Sequence, residues 1–209
     1  MSRSGCNAMG WDEDYRTRGA LWGGATGRLP DLPPGSRVLE TGCGNGKTLA
    51  AMTAGGWITV GVDSSPHAVR LAASGESPVV VGDICALPFS DATFDAVFCW
   101  HVLGHLPGPE MPAAARELFR VLKPGGPLFC KVFSRNDMRY GKGCETGKHS
   151  FLRGDGVVTH YFDTAELQDV FGEGTLTVSA WKMRVRGTLY HREEICGVFR
   201  RDTDGPDHW

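Results

Sequence analysis

The 209-residue sequence has no apolar run close to the roughly 20 residues that a membrane-spanning helix needs. Residues 1–15 contain no apolar core, so we expect no signal peptide. The formal net charge is only −2, which gives no long-range attraction to nucleic acid or to an anionic membrane. Glycine follows no repeat and the composition is near the globular average, which excludes collagen-like and disordered chains. One cytoplasmic domain with a single core, residues 1–209, is therefore expected.

Metal and redox motifs are also lacking. The seven cysteines are odd in number and none belongs to a Cys-x-x-Cys pair, so the sequence contains neither a zinc knuckle nor a thioredoxin-type motif. His101 and His105 stand four residues apart without the carboxylate of a His-Glu-x-x-His motif. No metal site is predicted, and the cysteines are expected to be reduced.

Short apolar runs alternate with helical stretches through most of the chain. The predicted strands are 37–40, 57–62, 79–81, 94–99 and 127–132, and the predicted helices are 47–54, 66–73 and 110–122. Strands that are apolar on both faces and separated by helices are typical of a parallel sheet covered on both sides. Asp163 and Glu166 form a capping-box pattern that predicts one more short helix. Residues 176–185 and 194–200 then predict a closing hairpin.

The first predicted strand runs directly into three alternate glycines, Gly42, Gly44 and Gly46, before a helix begins. Such a turn lets a ligand approach the backbone closely, and the N–H groups of the following helix favour polar or anionic groups. The dinucleotide fingerprint fails because Lys47 stands where its third glycine is required. The P-loop pattern fails because Gly42 is one residue too close to Gly46, but a P-loop nucleotide hydrolase remains an alternative.

Glu40 and the three glycines match the pattern Glu/Asp-x-Gly-x-Gly-x-Gly, and here the sequence resembles the class I S-adenosylmethionine (SAM)-dependent methyltransferases. Further blocks resemble the small-molecule branch of that family in the same order: GDICALPF from residue 82, FDAV from residue 94 and RVLKPGG from residue 120. The resemblance covers residues 36–132. Together with the predicted strands, it implies a doubly wound, Rossmann-like α/β fold with a seven-stranded, mostly parallel sheet whose last strand is antiparallel.

The resemblance implies an enzyme with SAM as cofactor and S-adenosylhomocysteine as product. Asp63, 17 residues after Gly46, stands where such a nucleoside site places the acid that holds the ribose. Asp83 and Ile84 are expected to contact the adenine, and His101 is expected to line the methyl side or to act as a base. The expected cofactor-binding residues are Tyr15, Arg18, Trp22, Glu40, Gly42, Cys43, Gly44, Asn45, Gly46, Asp63, Ser64, Asp83, Ile84 and Trp100.

Two segments outside the shared blocks are candidates for covering the site and holding the acceptor. Residues 1–30 mix aromatic residues with arginines and predict an N-terminal lid, with an amphipathic helix over a sheet edge as the alternative. Residues 134–162 show no period and predict an irregular binding loop, with a solvated mobile loop as the alternative. Its neighbourhood, 131–160, carries a local net charge of +3. The predicted substrate residues are Arg135, Arg139, Tyr140, Arg153, His160 and Tyr161.

We therefore expect methyl transfer to a small polar or anionic acceptor by a monomer or homodimer. The arrangement around Arg153, Tyr161 and Glu166 is loosely similar to thiopurine and tellurite methyltransferases, which implies a thiol or chalcogen acceptor. Methylation of a protein side chain and a non-catalytic SAM-binding module are the alternatives. Nucleic acid is not an expected partner, because the chain has neither a strongly basic composition nor an Asn-Pro-Pro-Tyr base-flipping motif.

Overall fold

A seven-stranded sheet forms the centre of the molecule in the computed structural model, which describes residues 6–19, 27–152, 156–185 and 187–203. The helices are α1 (Cys6–Arg18), α2 (Lys47–Ala54), α3 (Pro66–Ala72), α4 (Met111–Val121) and α5 (Thr164–Phe171). The strands of the central sheet are β1 (Arg37–Thr41), β2 (Ile58–Asp63), β3 (Val79–Val81), β4 (Ala96–Trp100), β5 (Pro127–Phe133), β9 (Thr175–Val185) and β10 (Thr188–Arg200). A separate three-stranded sheet contains β6 (Cys144–Gly147), β7 (Ser150–Leu152) and β8 (Val158–His160).

The strand order across the central sheet is β3-β2-β1-β4-β5-β10-β9. Strands β1 to β5 are parallel, β10 runs antiparallel to β5, and β9 runs antiparallel to β10. The predicted fold class is confirmed. Chain order reverses between β1 and β4, and ligands of doubly wound sheets bind at the carboxyl ends of the strands beside such a reversal.

Apolar side chains cover both faces of the sheet. On one face, α4 and α5 pack on β4, β5 and β10, and this layer includes the buried residues Leu118, Phe171 and Phe199. On the other face, Met52 of α2 packs near Phe98 of β4. Burial on both faces explains why the parallel strands are apolar at consecutive positions rather than at alternate ones.

The last hairpin is longer than the sequence indicates. Its second arm was expected to begin at residue 194, but β10 begins at Thr188 and pairs with β9 from Thr188 to Val198. Pairing with β5 stops at Glu194, opposite Phe133, so residues 188–193 extend beyond the carboxyl edge of the sheet. The chain after β5 follows this extension, because Ser134 N–H donates to the Glu193 carbonyl at 3.2 Å.

The expectation that residues 134–162 form an irregular loop was wrong, because the segment folds into the three-stranded sheet. A cluster of aromatic rings gives this small sheet a core of its own. The ring of Tyr140 lies 5.2 Å from that of Phe151 and 5.7 Å from that of Tyr161, and Tyr161 is fully buried. Aromatic packing of this kind stabilises a sheet that is too small to be stable by hydrogen bonds alone.

No helix in the described parts of the chain is long and apolar enough to cross a membrane.

Replacing Leu118 by Ala tests the face that α4 buries. The side chain is fully buried, so we expect Leu118→Ala to lower the free energy of unfolding by about 2–5 kcal/mol. Arg116→Ala, on the exposed face of the same helix, is the control and should change it by no more than about 0.5 kcal/mol. Urea unfolding followed by circular dichroism measures both, and equal effects would contradict the packing described above.

Candidate functional site

The loop between β1 and α2 is in close contact with two other parts of the chain. Its three glycines have positive φ: +66° at Gly42, +55° at Gly44 and +79° at Gly46. A Cβ on Gly42 would clash with the side chain of Val102, and a Cβ on Gly44 would clash with the hydroxyl of Tyr15. A non-glycine residue would be strained at these angles even without the clashes. The glycines therefore allow the end of β4 and helix α1 to lie directly on the loop.

Asp63, at the end of β2, ties this loop to the start of α3. Its Oδ2 accepts from Gly44 N–H at 2.9 Å, and its Oδ1 accepts from Ser65 N–H at 2.9 Å. Burial raises the pKa of Asp63, and the two backbone donors oppose that shift. A carboxylate oxygen has more than one lone pair, so both oxygens retain capacity for a further donor.

Glu40 lies at the end of β1 beneath the loop and is 4 % exposed. The Thr48 hydroxyl and the Leu49 N–H donate to its carboxyl group, but Oε2 is buried and has no hydrogen-bond partner among the residues that the structure describes. Burial is the main cause that raises the pKa of Glu40 to about 8. A buried carboxyl group with one unused oxygen is suited to a cationic donor, which would favour its ionised form.

Helix α1 is held over the loop by Asp12. The Asp12 carboxylate accepts from the Ser65 hydroxyl at 2.6 Å and from His67 N–H at 3.0 Å, and its other oxygen lies 2.9 Å from His67 Nδ1. Partial burial would raise the pKa of Asp12, but these hydrogen bonds lower it to about 2. Tyr15, one turn further along the helix, then reaches Gly44.

The other expected lid residues do not contact the loop in the same way. Arg18 is about half exposed and pairs with Asp14 at 3.1 Å along the helix. Trp22 lies outside the described residues.

The remaining expected cofactor residues surround the same edge of the sheet. Cys43 packs under the loop against Leu49 and Ala72, so only its backbone is available to a ligand. Asn45 Oδ1 accepts from Lys47 N–H at 3.3 Å at the start of α2. Ser64 is exposed beside Asp63.

Asp83 and Ile84 follow β3 next to Asp63, because Gly82 N–H donates to the Asp63 carbonyl at 3.0 Å. Asp83 is exposed and its Oδ1 accepts from Cys85 N–H at 2.8 Å, whereas Ile84 is 8 % exposed and belongs to the core. The backbone and the acidic side chain are thus placed at the edge, beside the carboxylate that ties the loop.

Trp100 and His101 end β4 on the opposite side of the loop. Trp100 Nε1 is buried without a hydrogen-bond partner in the described part of the chain, and Lys131 Nζ lies 3.9 Å from its ring centroid. His101 has φ +60° and its ring stacks on Phe133 at 4.3 Å. Its Nε2 lies 3.3 Å from Glu194 Oε2 on β10.

Most of the predicted substrate residues are engaged within the insertion or with the start of helix α5. Arg135 pairs with Asp163 at 2.5 Å and with Glu166 at 2.7 Å, which fastens the segment to α5. His160 Nε2 lies 2.9 Å from the other oxygen of Glu166, and its Nδ1 lies 2.8 Å from the Ser150 hydroxyl. These side chains hold the small sheet in place, which is a role that a count of charges does not reveal.

The aromatic members of the predicted substrate set are engaged too. The Tyr140 hydroxyl lies 2.7 Å from His149 Nδ1, and Tyr161 belongs to the aromatic core. Arg139 pairs with Asp137, but its guanidinium also lies 3.7 Å from the Phe133 ring centroid, and its Nη2 is buried with no partner that the structure describes. Arg153 lies outside the described residues.

Sequence reasoning missed Phe133, Asp137, Arg192 and Glu194. Asp137 is 3 % exposed and binds Arg139 at 2.9 Å and Arg192 at 2.6 Å. Two adjacent glutamates within the final hairpin were a signal, but only the register with β5 shows that Glu194 faces His101. No group of three or more His, Cys, Asp or Glu side chains suited to a metal ion occurs in the described ranges.

Comparison with known proteins places residues 39–130 in a family model described as a methyltransferase domain. A demethylmenaquinone methyltransferase of Corynebacterium urealyticum is 37 % identical over 114 residues, which cover 54 % of this chain and 49 % of that protein. The sterol methyltransferase-like 2 protein of Botryococcus braunii is 35 % identical over 211 residues, covering 92 % of this chain and 47 % of that protein. The chain thus spans about half the length of these curated relatives.

Among solved structures, a SAM-dependent methyltransferase from Methanosarcina mazei matches with a TM-score of 0.69 and 25 % identity. The match covers 82 % of this chain and 95 % of that one. The likeness therefore extends well beyond residues 36–132, which carry the sequence resemblance.

The raised pKa of Glu40 predicts a pH dependence of stability. Its folded-state pKa of about 8 is above the ordinary value of 4.5, so the folded protein binds the proton more tightly than the unfolded chain does. Stability relative to Glu40→Gln should therefore fall as the pH rises between these values, by up to about 1.4 kcal/mol per pH unit. Urea unfolding of both proteins near pH 5 and pH 8 (roughly the limits of that window) measures it. Glu76→Gln, at an exposed site, should keep the wild-type profile.

Proposed function

We propose that this chain, a member of the class I SAM-dependent methyltransferase family, transfers the methyl group of SAM to a small polar or anionic acceptor. The observation that carries the proposal is the β1–α2 loop, where positive-φ glycines lie between two buried carboxyl groups at the carboxyl edge of the sheet. The whole of residues 1–209 would act as a single SAM-binding domain.

The residues present are suited to SAM, which combines a cationic amino group, a ribose and an adenine. Glu40 Oε2 has no donor among the residues that the structure describes and would accept from the amino group, while the backbone of the glycine loop would border the amino-acid portion. Asp63 would accept from the ribose hydroxyls through the lone pairs that its backbone bonds leave unused. Asp83 and Ile84 would border the adenine.

SAM, when bound, supplies a methyl group on a positively charged sulfur, and transfer leaves the carbon–sulfur electron pair on that sulfur. The contribution of the protein is to align the acceptor with the methyl group and to exclude water. Helix α1 would exclude water from the cofactor, and two contacts support this: Asp12 fastens the helix to α3, and Tyr15 covers Gly44. We therefore assign residues 1–30 to a lid over the cofactor.

The acceptor would lie beyond β4 and β5, where Phe133 is surrounded by charge. Arg139 and Arg192 lie over this ring and Lys131 lies over the neighbouring ring of Trp100, against the two carboxylates of Asp137 and Glu194, which supports an acceptor with an anionic or strongly polar group. The resemblance to thiopurine and tellurite methyltransferases supports a thiol or chalcogen compound. A hydroquinone is the second candidate, because a 2-methyl-6-phytyl-1,4-hydroquinone methyltransferase of Synechocystis is 39 % identical over 129 residues, which cover 57 % of this chain and 38 % of that protein. The rings of Trp100 and Phe133 favour it.

Calorimetric titration with SAM, S-adenosylhomocysteine and magnesium ATP tests the cofactor assignment. We expect the two adenosyl ligands to bind and ATP not to bind. Asp63→Asn should weaken SAM binding by about 10- to 100-fold, because it removes a charged acceptor for the ribose hydroxyls.

Asp31→Asn is the matched control, since Asp31 is exposed in the coil before β1. Binding of ATP without SAM would instead favour the P-loop alternative. Binding of SAM without turnover of any thiol, selenite, tellurite, amine or hydroquinone would favour the non-catalytic module or a protein side chain as acceptor.

The hydrogen bonds of Asp12 to Ser65 and His67 should govern how fast S-adenosylhomocysteine dissociates. Asp12→Asn removes the ionised acceptor of three hydrogen bonds at a partly exposed site, and we expect S-adenosylhomocysteine to dissociate about 5-fold faster. Stopped-flow fluorescence, with Trp11 in the same helix as the reporter, measures the rate. Glu13→Gln is the control because Glu13 is exposed and pairs only with Arg16 in the described chain. Equal rates in both variants would show that α1 does not gate the site.

A further inference from the structure

His101 is held in an uncommon backbone conformation where β4 ends. Its φ of +60° is rare for a residue with a side chain, and such strain concentrates at functional sites. The backbone N–H donates to the Lys131 carbonyl at 2.8 Å, and the ring stacks on Phe133 with an interplanar angle of 19°. The next residue, Val102, presses on Gly42. The imidazole is thus fixed beside the loop that would hold the cofactor.

Glu194 approaches the same imidazole from β10. Its Oε2 lies 3.3 Å from His101 Nε2, and its side chain is only 15 % exposed. Burial would raise the pKa of Glu194, but the hydrogen bond and charge of His101, together with the charge of Lys131, lower it. An ionised carboxylate can only accept, so Nε2 carries a hydrogen, and in the neutral form of the ring the lone pair is then on Nδ1.

Nδ1 of His101 is buried and has no hydrogen-bond partner in the described ranges, although the ring as a whole is about a third exposed. His160 provides the contrast within the same protein, because both of its ring nitrogens have partners, Ser150 and Glu166. Buried polar atoms are normally satisfied. A histidine with one nitrogen oriented by a carboxylate and the other left bare has the arrangement of a base rather than of a structural residue.

We propose that Glu194 is a positioning residue that orients His101 as the general base of methyl transfer, so that the acceptor carries a proton on the atom that is methylated. This inference rests on the proposed function. The acceptor proton moves to Nδ1, whose lone pair forms the new N–H bond. The electron pair left on the acceptor atom forms the bond to the methyl carbon, while the carbon–sulfur pair stays on sulfur. Glu194 then balances the charge of the imidazolium.

The acceptor class follows from this step. Hydroxyl, phenol, thiol and amine groups have a proton to lose, and a base contributes most when that proton is not already lost at the working pH. A tellurium or selenium lone pair carries no proton and needs no base. Among the acceptors considered above, the dyad of His101 and Glu194 therefore favours a hydroquinone or a thiol over tellurite or selenite.

The tautomer of His101 can be measured without cofactor or acceptor. In the wild-type protein at mildly alkaline pH, we expect the ¹⁵N chemical shifts of the His101 ring to show a protonated Nε2 and a bare Nδ1. Glu194→Gln should populate the other tautomer, because an amide can also donate to Nε2. His101→Asn identifies the signal by its loss. A wild-type ring protonated on Nδ1, or spectra that are the same in both proteins, would overturn the proposal.

Turnover measurements distinguish a positioning role of Glu194 from a purely structural one. For a hydroquinone or thiol acceptor, we expect Glu194→Gln to lower kcat by about 100-fold with KM nearly unchanged, and Glu194→Asp to restore part of the rate. Glu173→Gln, which removes a carboxylate from the exposed turn before β9, should leave kcat unchanged. An unchanged kcat in Glu194→Gln, or methylation of tellurite alone, would contradict the inference.

SAM titration of the same variants distinguishes failure of the proposed function from failure of the inference about Glu194 and His101. Glu194→Gln should bind SAM as the wild type does, since Glu194 lies on the acceptor side. Failure of the wild type to bind SAM would refute the proposed function, whereas the tautomer result concerns the dyad alone.

Discussion

The hydrogen bond from Gly44 N–H to the buried Asp63 carboxylate is the contact on which the geometry of the site depends. The same carboxylate accepts from Ser65 N–H, and the Ser65 side chain both caps α3 and donates to Asp12. Asp12 in turn holds α1, whose Tyr15 returns to Gly44. The contacts form a closed ring through two loops and two helices. Because each member fixes the next, a change at one of them is expected to alter the position of the others.

The sequence was sufficient for the parallel strands of the central sheet and for the loop, because both depend on local patterns. Consecutive apolar positions are required wherever a strand is buried on both faces, and alternate glycines after the first strand are required where Val102 and Tyr15 touch the backbone. The capping prediction at Asp163 was also confirmed, since its side chain accepts from Glu166 N–H at 2.9 Å. The side chain of Glu166 is directed elsewhere, toward Arg135 and His160. The local sequence pattern predicted that Asp163 caps α5, but it did not predict that the Glu166 side chain binds Arg135 and His160.

Long-range pairing is what the sequence could not supply. Glu194 faces His101 only because β10 pairs antiparallel with β5 in one register, and a shift of a single residue would have turned it to the other face. The positive charge of residues 131–160 was misleading for a similar reason. Arg135 is neutralised by Asp163 and Glu166, which lie beyond that segment in the chain and only fold against it. Counting charge along a sequence assumes that neighbours in the chain are neighbours in space.

Three polar atoms without partners among the described residues, Glu40 Oε2, Trp100 Nε1 and His101 Nδ1, belong to residues at the carboxyl ends of β1 and β4. Each unpaired atom costs about 1–3 kcal/mol of stability, and folding alone does not explain why these three lie where a doubly wound sheet binds ligands. Ligand groups that supply the missing partners would recover this free energy, and binding would then stabilise the folded state by mass action. The raised pKa of Glu40 has the same origin, since the carboxyl group is buried and its Oε2 has no hydrogen-bond partner among the described residues. A cationic ligand group would lower this pKa and make the ionised carboxylate the favoured form. The site is therefore destabilising by itself, and the free energy that it costs the fold is available to ligand binding.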